Sequence, residues 1–126
     1  MSFNMIIAIG LGGFFGAICR YLTASKISIW LGPEFPYGTL AVNAIGSFIL
    51  GFLSRFFIEH VIIDELIKIG LLVGFLGAFT TYSTFSYETV VLLQEGDFFK
   101  ALLNILVNTV LCITLCFLGL QIAKSL

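Results

Sequence analysis

The sequence predicts an all-α membrane protein, one domain over residues 1–126, with four transmembrane helices of which the third is broken. Three observations carry that expectation. Hydrophobic residues make up 60% of the chain and charged residues 10%, against roughly 25% charged in a soluble domain. The charges leave four uncharged runs, Met1–Cys19, Phe35–Ser54, Ile69–Tyr87 and Ala101–Ala123. Each is close to the ~20 residues that cross a bilayer. Inside the third run, Thr80, Thr81, Ser83, Thr84 and Ser86 crowd around Tyr82 and Phe85, which is unusual in a lipid-embedded helix.

The spans are placed at about 3–21, 36–57, 67–94 with a break near 78–84, and 99–124. The connectors, Arg20–Glu34, Arg55–Lys68 and Glu88–Lys100, leave no room for a soluble domain. The first run lacks the basic start and small-residue cleavage site of a signal peptide and is expected to be a retained helix. Trp30 and Tyr37 fit an interfacial aromatic belt. Cys19, Cys112 and Cys116 all fall within spans, where small-residue packing is expected rather than disulfides. His60 is alone in a polar connector, so no metal cluster is expected there. No nucleotide fingerprint is present; neither an enzyme nor a nucleic-acid partner is expected.

The charge balance bears on topology. The N-terminus, second connector and C-terminus share one side, with Arg55, Lys68 and Lys124; Arg20, Lys26 and Lys100 lie on the other. Orientation follows an excess of Lys and Arg on the cytoplasmic side, and here neither side has one. Either something uncounted, such as the terminal amine, sets a weak bias, or the chain inserts both ways. The second is favoured: two opposed copies would pair as an antiparallel, dual-topology homodimer, the geometry of inverted repeats in larger transporters.

Small residues mark packing faces. Gly12 and Gly16 form a small-xxx-small pair in the first span, extended by Gly10, Gly13 and Ala17. The third span has Gly70, Gly74, Gly77 and Ala78. Such residues let backbones approach where lipid offers no hydrophobic push. Helix packing alone explains most of them, and Gly77 is set apart because it adjoins the hydroxyl cluster.

Amides mark polar faces. Asn43 and Ser47 are one turn apart on the second span, and Asn104, Asn108 and Cys112 recur at the same spacing on the fourth. An amide in hydrocarbon is costly unless bonded. Interhelical bonding would explain a single Asn. Three on two helices, with the hydroxyl cluster on a third, suggest a polar lining for something that crosses. No Asp or Glu lies well inside a span; Glu88 comes nearest. A proton-coupled exporter usually needs such a carboxylate, which weakens the alternative of a small multidrug-type or metabolite exporter. A non-conducting structural subunit is a third possibility. Arg20 closes the first span, where it can face an aqueous mouth and draw anions. The lining is neutral and donor-rich, which suits a small, strongly hydrogen-bonding anion. Ring edges carry partial positive charge, so Tyr82 and Phe85 presented edge-on would solvate an anion without trapping it.

Five hydroxyls in seven residues predict the break, because Ser and Thr compete for backbone groups. Carbonyls freed there can bind a cation, and two from each copy near a two-fold axis would form a four-oxygen cage.

Taken together, "GGFFGAICRY", "GTLAVNAIGSFILG" and "GFLGAFTTYSTFSYE" resemble the Fluc (CrcB-type) fluoride channels, across all four spans. The resemblance implies passive fluoride export across a bacterial inner membrane, through an antiparallel dual-topology homodimer with two pores. It also implies a central structural sodium ion held by backbone oxygens, at Gly77 and Thr80. Asn43 matches the pore-lining asparagine, Arg20 the arginine near the mouth, and Phe85 the second of the paired pore rings. Asn104, Asn108 and Cys112 fall on the family's polar track; Thr39 and Glu88 match vestibule positions. Asn43, Ser83 or Thr84, and the ring edges of Tyr82 and Phe85 are the expected fluoride contacts. The chain departs from the family's TTFSTFS at Tyr82, which keeps a ring edge and adds a phenol hydroxyl.

Overall fold

The computed structural model describes residues 1–126. It is all-helical. Helix α1 runs Phe3–Leu31 and α2 Tyr37–Glu59. The third span opens with α3, Glu65–Ile69, passes through a π-helical stretch, Gly70–Phe75, and closes its first half with α4, Leu76–Phe79. Helix α5, Tyr82–Gln94, is its second half, and α6 runs Phe98–Ser125. Four of these helical stretches are long and apolar enough to cross a membrane: Phe3–Leu31, Tyr37–Glu59, Glu65–Gln94 and Phe98–Ser125.

The first helix continues well past residue 21. An uncharged run marks the part at hydrocarbon depth, whereas a helix stops only where its backbone is interrupted. Nothing between Arg20 and Leu31 interrupts it. The polar Thr23, Ser25, Lys26 and Ser28 extend it toward the headgroup layer, and it ends at Gly32, whose φ of 92° suits glycine. Its 29 residues span about 43 Å at 1.5 Å each, more than a ~30 Å hydrocarbon core. Lys26 Nζ lies 5.1 Å from the centroid of the exposed Trp30 ring, a cation–π contact suited to an interface.

Glycines set how the helices meet. A β-carbon added at Gly12 would overlap the Gly70 carbonyl oxygen, and one at Gly16 would overlap that of Phe75. A β-carbon added at Gly74 would press on the Ile9 carbonyl oxygen and the Gly12 backbone. The wide π turn thus lays its backbone directly on α1. Helices α2 and α6 make a matching pair, with Gly51 against the Cys116 carbonyl and Gly119 against that of Phe48. Gly10 does not belong to the packing face expected of it: nothing lies within 4 Å of its Cβ position. Two residues along a helix is a rotation of about 200°, so Gly10 points away from the face Gly12 shares with the π-helical stretch.

Only 18 of 126 residues are buried within the chain. Phe14, Phe15, Ile113 and Phe117 all face outward. An apolar exterior is what hydrocarbon surroundings require. This is an integral membrane protein.

Candidate functional site

The third span is interrupted at its midpoint. Thr80 (φ −87°, ψ 159°) and Thr81 (φ −150°, ψ 116°) are extended and part the last carbonyls of α4 from the first N–H groups of α5. The hydroxyls do not unwind residues 82–84. Instead Thr81 Oγ1 accepts the Thr84 N–H at 3.1 Å and caps α5, so that helix starts at Tyr82. Helix capping thus confines the break to two residues.

Asn43 on α2 holds the broken backbone. Its Oδ1 accepts the Thr81 N–H at 2.8 Å, and its Nδ2 donates to the Thr81 carbonyl at 3.0 Å. Two backbone N–H groups at the break are diverted from the helical pattern. Thr81 N–H turns from the Gly77 carbonyl to Asn43, and Thr84 N–H turns from the Thr80 carbonyl to Thr81 Oγ1. A carbonyl at mid-membrane without a donor requires another partner.

A cavity of about 360 Å³ adjoins the break. Asn43 and Ser47 line it from α2, Thr80, Thr81, Tyr82 and Phe85 from the third span, and Asn108, Thr109 and Cys112 from α6. The Tyr82 and Phe85 rings meet edge-on, centroids 5.4 Å apart at 61°. Phe85 is buried, whereas Tyr82 is 79% exposed.

A second cavity, about 240 Å³, gathers Arg20, Ser25, Thr39, Thr81 and Thr84. Thr81 borders both. Beside this cavity Thr39 Oγ1 donates a hydrogen bond to Glu88 Oε1. Glu88 lies farther inside its span than the end of the uncharged run suggests, because α5 continues six residues to Gln94, about 9 Å.

The structure therefore brings Asn43, Thr80, Tyr82, Phe85, Asn108 and Cys112 to one cavity, and Arg20, Thr39 and Thr84 to the other. Ser83 is exposed and lines neither, with its Oγ 3.4 Å from Thr81 Oγ1. Gly77 is also exposed, with open space at its Cβ position. Asn104 is buried behind the first cavity. Thr81 was visible as a hydroxyl but not as the junction; that threonine is a favoured N-cap residue is the one signal that marks it. Thr89, bonded to Asn104 at 2.9 Å, carried no distinguishing sequence signal.

A four-span chain with its third span broken at mid-membrane beside a polar cavity is the class of architecture that channels and small transporters share. More particularly, the chain belongs to the CrcB family: residues 7–120 match the family described as CrcB-like protein, Camphor Resistance (CrcB). It is similar to curated relatives over nearly its full length. A Magnetococcus marinus protein is 47% identical over 116 residues, 92% of this chain and 94% of the relative. One from Nitratiruptor sp. is 45% identical over 126 residues, 100% and 97% respectively, and one from Geobacter metallireducens 43% over 121 residues, 96% and 98%. Each of the three is named "Fluoride-specific ion channel FluC", the name of a channel and not of an enzyme.

Proposed function

We propose that the chain is a fluoride-selective channel that lets cytoplasmic fluoride leave by passive diffusion across a bacterial inner membrane, lowering fluoride toxicity. It acts as an antiparallel, dual-topology homodimer with two pores and a central structural sodium ion. The single observation that carries this is the break at Thr80–Thr81, which sets a helix start beside a hydroxyl- and ring-lined cavity. The names of the full-length relatives point to the same ion.

The break presents two opposite polarities at one depth. A helix carries partial positive charge at its N-terminus and negative charge at its C-terminus. Helix α5 therefore turns a positive end toward the cavity, where an anion is favoured. Helix α4 ends in carbonyls, where a cation is favoured. The Gly77 and Thr80 carbonyls fit a sodium site because their usual donors bond elsewhere and Gly77 is open at the surface. When bound, sodium neutralises carbonyl charge between two copies and locks them together.

Fluoride holds water tightly, so a selective pore must replace that shell with donors. The edges of Tyr82 and Phe85 and the hydroxyls of Ser83 and Thr84 supply them, and Asn43, Asn108, Asn104 and Cys112 form the polar track that holds those groups in place. Arg20, Thr39 and Glu88 form the vestibule. Chloride is larger and a poorer acceptor, and gains less. Polar groups on the outer surface, Tyr82 and Ser83 among them, suit a face covered by a second copy.

An exporter of organic cations is the alternative, favoured by one observation: Glu88 lies within the third span. Efflux from liposomes of pure protein separates the two. Fluoride efflux without chloride efflux is expected. Robust chloride flux, absent fluoride flux, or proton-coupled uptake of an organic cation would overturn the proposal.

A further inference from the structure

The half-buried Asn43 and the buried Asn108 and Asn104 form a hydrogen-bonded chain of fixed direction, and it ends on a residue that lines neither cavity. Asn43 Nδ2 donates to Asn108 Oδ1 at 3.2 Å. Asn108 Nδ2 donates to Asn104 Oδ1 at 2.8 Å and to the Asn104 carbonyl at 3.1 Å. Asn104 Nδ2 donates to Thr89 Oγ1 at 2.9 Å, and Thr89 Oγ1 donates to the Phe85 carbonyl at 2.8 Å. The direction is imposed from the break. Thr81 N–H can only donate, so it fixes Asn43 Oδ1 as acceptor and Nδ2 as donor; Asn108 must then present Oδ1, and Asn104 likewise.

An amide group carries two donor hydrogens. Those of Asn43 are engaged by the Thr81 carbonyl and Asn108, and those of Asn108 by the two oxygens of Asn104. Neither residue has a donor left for a passing ion without releasing its neighbour. Thr89, Asn104 and Asn108 are buried to 7%, 1% and 6% exposure, so water does not replace a lost partner. Breaking one link leaves a buried polar group unsatisfied and passes the defect along.

We infer that Thr89 is a positioning residue, acting through Asn104, Asn108 and Asn43 to hold Thr81, and with it the start of α5 and the ring of Phe85, in place. The same hydroxyl ties the far end of the chain to the Phe85 carbonyl, so the cavity wall is pinned from both ends. The inference rests on the channel function proposed above, but its primary test does not.

That test is site-resolved hydrogen exchange of the Thr81 amide in the purified full-length protein, with fluoride efflux measured in parallel. In the wild type the Thr81 N–H is expected to be protected; an unprotected amide overturns the clamp. Thr89→Val keeps the shape and removes the hydroxyl. It is expected to speed Thr81 exchange about two- to tenfold, the effect of one lost hydrogen bond, and to lower fluoride efflux by a similar factor. Thr89→Ser keeps the hydroxyl and should restore both. Should Thr89→Val fail to assemble, Thr89→Ala, which removes the hydroxyl with less bulk, is read in its place. Thr81 exchange unchanged in the hydroxyl-free variant overturns the inference, whatever the flux. A wild type without fluoride flux but with the exchange pattern intact would overturn the channel function and leave the clamp standing.

Discussion

Replacing Tyr82 by phenylalanine should leave fluoride conduction nearly intact, and replacing it by leucine should not. Tyr82 is 79% exposed in the single chain, so its phenol hydroxyl is not part of the chain's buried core. Removing that hydroxyl should change the stability of the single chain's fold by no more than about 0.5 kcal/mol, the usual range for a surface change. The ring contributes differently. It meets Phe85 edge-on at 5.4 Å, an arrangement worth about 0.5–1.5 kcal/mol beyond simple burial. If that energy is what holds Phe85 edge-on, deleting the partner ring lowers the edge-on population roughly two- to tenfold. The assay is fluoride efflux from liposomes at matched protein density, with chloride as control. Tyr82→Phe is expected within about twofold of wild type, and Tyr82→Leu roughly two- to tenfold slower. Wild-type flux in Tyr82→Leu would show the ring to be dispensable. Loss of flux in Tyr82→Phe would show that conduction depends on the hydroxyl. Either result refutes the reasoning.

Three further outcomes are expected. Asn43→Ala removes both bonds to Thr81 and the bond to Asn108, at about 0.6–2 kcal/mol each; fluoride efflux should fall at least tenfold, and unchanged efflux would remove Asn43 from the pore. Gly12→Ala should destabilise the detergent-solubilised fold by about 1–3 kcal/mol through overlap with the Gly70 carbonyl. Gly10→Ala, which meets nothing within 4 Å, should be neutral or stabilising by up to about 1 kcal/mol; similar behaviour of the two variants would contradict the packing described. If the proposed dimer binds sodium, replacing sodium by a bulky organic cation should lower its melting temperature, since a ligand at a hundredfold excess over its Kd contributes about 2.7 kcal/mol. A dimer indifferent to sodium would argue against the Gly77 and Thr80 carbonyls as its site.

The sequence alone specified that the chain crosses a membrane, and how often. Charge is costly in hydrocarbon, so the spacing of Arg20, Glu34, Arg55, Lys68, Lys100 and Lys124 marks the spans in outline without reference to any partner. Local chemistry also announced the interruption, because Thr80, Thr81, Ser83 and Thr84 compete for the backbone wherever they are crowded. How far the interruption extends was a different matter. Thr81 closes it by capping α5, and it is available to do so because Asn43, 38 positions away, takes its N–H and carbonyl. Gly10 and Gly12 look alike as letters, and only the neighbouring π turn decides that one is pressed against backbone and the other is free. Thr89 is one threonine among several until Asn104 is seen to need an acceptor there. Composition and charge spacing report each residue's own transfer energy, which needs no knowledge of the fold. A hydrogen-bond partner or a close backbone contact depends on which distant residue the fold brings within about 3 Å, and here only the tertiary structure decided that.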